Sequence, residues 1–152
     1  MSVISAGVID HVGIAVHDLD ASCRLYQELL GAELTAREVV EGQAVEVAFL
    51  QPPGSARIEL ISPVDESSPV AGFLAGRGPG LHHICVLVED IDAALADLVS
   101  EGVGLIDTVS RPGAEGSRIA FLHPKALGGV MLGVSRTTFA WSWSGAPERI
   151  AP

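Results

Sequence analysis

One passage of this chain is written twice. Ile9-Asp10-His11-Val12-Gly13-Ile14-Ala15-Val16 returns as Leu81-His82-His83-Ile84-Cys85-Val86-Leu87-Val88, with His83 lying on His11, 72 positions earlier. The correspondence continues beyond it, setting Asp90-Ile91-Asp92-Ala93 on Asp18-Leu19-Asp20-Ala21. Recurrence of one pattern at a fixed spacing marks a repeated supersecondary unit, and two such units bring equivalent positions to a shared axis.

Each copy opens on alternation that predicts a strand, 8–16 and 81–88, followed by an aspartate able to cap a helix. The first helix carries Leu25, Tyr26, Leu29 and Leu30 and stops at Gly31; the second carries Ile91, Ala94, Leu95, Leu98 and Val99 on one face and stops at Gly102. Three strands follow in each half. In the first they are expected near 34–40, 45–50 and 57–61, the last two joined by the Pro52-Pro53-Gly54 turn; in the second, near 104–109, 119–122 and 130–134. The fold class is α+β, with paired strand-helix-strand-strand-strand modules. A single domain over 8–135 divides into module one (8–62), a linker (63–79) with a short helical piece near 70–75, and module two (80–135). The tail, 136–152, reads as an extended arm whose Trp141 and Trp143 pack on the surface or on a second subunit.

Side chains alternate along a strand, so each strand has two registers. One is apolar throughout: Val12, Ile14 and Val16; Val45, Val47 and Phe49; Ile58 and Leu60; Ile84, Val86 and Val88; Val130, Leu132 and Val134. That register is expected to meet the helices. The other holds His11, Glu46, Glu59, His83 and Gly133 among small residues, and describes a lined cleft. His11, Glu59 and His83, from three strands, form a donor set for a divalent cation, which needs ligands from separate backbone segments to surround it. His17, His82 and His123 fall outside this set: His17 ends its strand, His82 has the opposite register, and His123 precedes Pro124.

A formal charge of −10 with a single lysine argues against nucleic acid or an anionic membrane as partner, since both need clustered cations. Arg111, Arg118 and Lys125 either form a local positive rim or are scattered surface charges. Cys23 and Cys85 sit in apolar pattern and read as buried thiols, outside any zinc spacing. With no apolar run of membrane-spanning length and no secretory pattern at the start, the expected location is the cytoplasm.

Four stretches carry a family resemblance that covers 9–134: the first histidine strand, Ile58-Glu59-Leu60-Ile61-Ser62-Pro63, Gly80-Leu81-His82-His83-Ile84, and Phe121-Leu122-His123-Pro124-Lys125 with Gly128-Gly129-Val130. Together they resemble the methylmalonyl-coenzyme A epimerase family of the vicinal oxygen chelate (glyoxalase-like) superfamily. The resemblance implies a U-shaped mixed sheet around one metal ion (cobalt, manganese, zinc or nickel), commonly in a homodimer, and epimerisation of an acyl thioester through a metal-stabilised enolate. It implies that His11, Glu59 and His83 are metal ligands and that Glu46 matches a catalytic glutamate. Gly133 stands where that family has a further glutamate ligand in its last strand, leaving an empty inward position. Inversion by two bases wants proton-handling groups on both faces of the carbon. A related lyase, decarboxylase or isomerase with one-sided proton transfer is therefore the alternative, and a non-catalytic small-molecule binding protein of this fold is the second.

Overall fold

The computed structural model describes residues 2–137. Its strands are β1 (Ala6–Ala15), β2 (Glu33–Val40), β3 (Val45–Gln51), β4 (Arg57–Pro63), β5 (Gly80–Val88), β6 (Arg111–Pro112), β7 (Arg118–Leu122) and β8 (Leu132–Arg136); its helices are α1 (Leu19–Leu30), α2 (Pro69–Arg77) and α3 (Ile91–Ser100). All eight strands join one curled mixed sheet in the order β2-β3-β4-β1-β5-β8-β7-β6. The two halves run outward from the middle in the same sequence, so the repeat is a structural one: β1 pairs parallel with β4, β5 pairs parallel with β8, and β1 and β5 meet antiparallel at the axis.

The helices begin as the repeated aspartates predict. The Asp18 carboxylate accepts from the Ala21 backbone N–H at 2.9 Å and Asp90 from that of Ala93 at 3.0 Å, caps worth about 1 kcal/mol each. Helix α1 ends at Gly31 in the left-handed region (φ 60°), where glycine carries no Cβ penalty. Helix α1 covers Ala48, Leu50 and Leu60 through Leu19 and Cys23, while Ile91, Leu95 and Leu98 of α3 cover Ala120, Leu122 and Val134. Both cysteines are free and buried. Among the described residues no helix is long and apolar enough to cross a membrane. Trp141 and Trp143 lie outside the described residues.

Two expectations change. The strand expected over 104–109 is reduced to a single bridge between Leu105 and Leu122, and module two's outermost strand is the short β6 instead. Strand β3 is turned over relative to the expectation. Its antiparallel register sets Phe49 opposite Glu59 and Ala48 opposite Leu60, so Val45, Val47 and Phe49 share the concave side with Glu59. Glu46, Ala48 and Leu50 take the side that faces α1. Alternation cannot decide this strand, because both of its faces are largely apolar.

Candidate metal centre

Strands β1, β4 and β5 deliver one donor each to the concave floor. His11 Nε2 lies 3.1 Å from His83 Nε2, and Oε2 of Glu59 lies 3.2 Å from the first and 3.3 Å from the second. All three residues are buried. Three donors at about 2.1 Å from one ion are separated by about 3.0 Å at right angles and about 3.4 Å at tetrahedral angles, so this triangle has the dimensions of a two-histidine-one-carboxylate cation site. The set fits a divalent cation.

The floor depends on a glycine. A Cβ on Gly13 would lie 2.2 Å from Cε1 and 2.4 Å from Nδ1 of His83, so the ring occupies space that any side chain at 13 would take. Edge-on contacts with His11 (centroids 5.2 Å apart) and Phe121 (5.1 Å) complete its cage.

Behind His11 stands a group absent from the sequence-based candidates. Asp10 Oδ2 meets His11 Nδ1 at 2.6 Å and accepts from Arg57 Nη2 at 2.8 Å. A carboxylate on the far nitrogen fixes the tautomer and leaves Nε2 facing the cation position. Burial works against a charged His11, but hydrogen bonds to Asp10 and Glu59 outweigh it and raise His11 to about 9. Burial likewise opposes the Glu59 carboxylate, yet the two histidines hold it well below its ordinary range. The raised His11 stabilises the cation-free fold below about pH 6.5, an effect that fades as pH climbs through about 9. Cation loading must displace this proton, so affinity should rise about tenfold per pH unit between pH 6 and 8. Calorimetric titration in buffers of different ionisation enthalpy measures it; a flat profile with no proton release would contradict the arrangement.

His82 departs from its expected place. Strand β5 pairs Leu81 with Ile14 but His83 with Gly13, which leaves His82 as the extra residue of a β-bulge. The bulge re-aims the ring into the cleft wall, its Nδ1 3.0 Å from Nδ1 of His83 and its ring edge-on to Phe73 of α2. Burial and the neighbouring His83 lower it to about 4.

Glu46 is not brought to this site. Its Oε1 accepts from Arg37 Nε at 2.8 Å on the α1 side, and Arg37 also donates to Asp20. Nor is the position beside Gly133 open. A Cβ there would lie 3.1 Å from Phe121 Cε1 and 3.3 Å from Cys85 Sγ, because the Phe121 ring fills the floor that a longer side chain on β8 would occupy.

Above the triad lies a cleft of about 190 Å³, walled by Val45, Val47, Ile61, Val70 and Ile119 and bordered by His82 and Arg111. A family profile for the glyoxalase/bleomycin resistance protein/dioxygenase superfamily matches residues 10–121. The ethylmalonyl-CoA/methylmalonyl-CoA epimerase of Cereibacter sphaeroides is 41% identical over 129 residues, 83% of this chain and 95% of the relative. The chain belongs to the methylmalonyl-CoA epimerase family of the vicinal oxygen chelate superfamily. Family members of known structure superpose closely. The Mycobacterium tuberculosis methylmalonyl-CoA epimerase gives a TM-score of 0.84 at 42% identity, covering 89% of this chain and 91% of that one. A Streptomyces coelicolor methylmalonyl-CoA epimerase in complex with 2-nitronate-propionyl-CoA gives 0.85 at 38%, covering 89% and 100%.

Proposed function

We propose that this protein epimerises methylmalonyl-CoA or a closely similar acyl-CoA thioester, with a divalent cation held by His11, Glu59 and His83. The observation that carries the reading is the convergence of these three donors, 3.1–3.3 Å apart, on the floor of an apolar cleft, in a chain whose relatives include epimerases of such thioesters. A bound cation would supply Lewis-acid stabilisation of the negative charge that develops on a carbonyl oxygen as the acidic carbon loses its proton.

The chain's own residues supply the rest. Oε2 of Glu59 faces both imidazoles, leaving Oε1 of the same carboxylate to take the proton from the carbon between thioester and carboxylate. With His83 Nε2 turned to the cation position, His83 Nδ1–H donates to His82 Nδ1, so His82 carries its own proton on Nε2, a donor for an acyl oxygen. Arg111, held by Asp107 at 3.3 Å, brings positive charge to the cleft border for an anionic part of the substrate. Inversion requires a proton on the opposite face, and with Gly133 bare, water entering on the Arg111 side delivers it. We further propose that the metal site works in a cytoplasmic homodimer.

The test starts from one pure epimer of methylmalonyl-CoA and follows conversion before and after chelation of divalent ions. Conversion that stops with the chelator and returns with cobalt or manganese supports the reading; full conversion by thoroughly cation-depleted protein overturns the role of the site. Glu46→Gln should change conversion less than about twofold and stability by less than about 1 kcal/mol, the usual range for an exposed ion pair. A loss beyond about a hundredfold would mean that Glu46 reaches the cleft.

A further inference from the structure

The turn between β6 and β7, residues 113–117, belongs to module two but is tied to module one at two points, with a third tie just before it on β6. The Glu115 carboxylate accepts from Arg57 Nη1 on β4 at 2.7 Å, the Glu115 backbone N–H donates to the Glu38 carboxylate on β2, and the Gln43 side chain donates to the Pro112 carbonyl at 3.1 Å. Gly113 and Ala114 of this turn line the cleft. Glu115 has φ 54°, the left-handed region, which costs a residue with a Cβ on the order of 1 kcal/mol. Such a conformation persists where surrounding contacts over-determine it, and here the contacts are the two carboxylate ties.

Arg57 is what makes this turn more than a surface feature. Its guanidinium lies 4.2 Å from the centre of the Phe49 ring, and its two terminal nitrogens reach opposite ways, Nη1 to Glu115 and Nη2 to Asp10. Asp10 in turn holds His11 Nδ1 at 2.6 Å. A rigid, planar fork between two carboxylates transmits position: if Glu115 leaves, Arg57 loses one of its anchors, and Asp10 is held less firmly against the imidazole.

We infer that Glu115, Arg57 and Asp10 form a positioning relay through which the 113–117 turn, the strap beside the cleft, sets the orientation of His11 and so the cation affinity of the site. The inference rests on the His11-Glu59-His83 reading. Its reciprocal follows from linkage: whatever factor the seated strap adds to cation affinity, cation binding must return as closure of the strap. Substrate entering beside Gly113 and Ala114 would therefore meet a wall whose order depends on whether the site is loaded.

Cobalt(II) alone is the probe, titrated by its visible absorption into wild type, Glu115→Gln, Asp10→Asn and the double variant, with Arg57→Lys as the conservative case. Glu115→Gln should weaken cobalt about tenfold, within the range for partners of metal-bound histidines. In the Asp10→Asn background the same change should have little further effect, because the relay is already cut. Arg57→Lys, which keeps the charge and loses the fork, should weaken cobalt at least as much as Glu115→Gln. Hydrogen exchange of the Glu115 amide gives the reciprocal readout: cobalt should slow it in wild type and not in Asp10→Asn, a cation dependence that a purely structural tie would not show. Equal cobalt affinity in wild type and Glu115→Gln overturns the relay while leaving the triad standing. Wild type that takes up no cobalt overturns the triad, and the relay with it.

Discussion

His83→Ala should leave a folded protein that holds no divalent cation and has lost essentially all conversion of its thioester. Partners behind a ligating imidazole are worth about 10- to 100-fold in affinity, and removal of the imidazole itself should exceed that. The ring also fills space between His11 and Phe121, at centroid distances of 5.2 and 5.1 Å, so the truncation opens a cavity and costs about 2 to 4 kcal/mol. Circular dichroism reports the fold and elemental analysis the metal. Stoichiometric metal in this variant would remove His83 from the ligand set; His83→Gln, which keeps more of the volume, separates the ligand loss from the stability loss.

Gly13→Ala should do comparable harm by adding one methyl group. The new Cβ would stand 2.2 Å from Cε1 of His83, a distance no relaxation of tenths of an ångström relieves, so the imidazole must leave the triangle. Overpacking of this kind costs about 1 to 3 kcal/mol of stability, while cation affinity should drop by more than about a hundredfold. Gly42→Ala is the control, since nothing lies within 4 Å of a Cβ there. Equal cobalt affinity in Gly13→Ala and wild type would show that His83 is not held where this account needs it.

The repeat made the axis of the fold legible, and with it the pair His11 and His83, because equivalent positions in a duplicated unit must meet across β1 and β5. Glu59 was legible as the polar position between Ile58 and Leu60. Strand β3 was not, for a physical reason: Val45, Val47 and Phe49 on one face and Ala48 and Leu50 on the other are both apolar, and the register against β4 decides which face holds the cleft. Glu46 turns over with that strand, and its charge finds Arg37 on the side of α1. Strict alternation sets His82 on the opposite face, and a one-residue bulge breaks that alternation. Asp10, Arg57 and Glu115 come together from β1, β4 and the 113–117 turn, too far apart in the chain for any local pattern to report them. At Gly133 the sequence shows only an absent side chain; the structure shows Phe121 in the space.

The central claim is that this cleft inverts a carbon acid with solvent supplying one proton. One pure epimer of methylmalonyl-CoA, incubated with cobalt-loaded protein in deuterated water, tests it when label and configuration are followed together in the early turnovers. Inverted molecules should carry one deuterium at the inverted carbon, formed at a rate within the usual enzyme range of roughly 1 to 1,000 per second. Label entering with retention of configuration would contradict it, and so would the absence of both exchange and inversion.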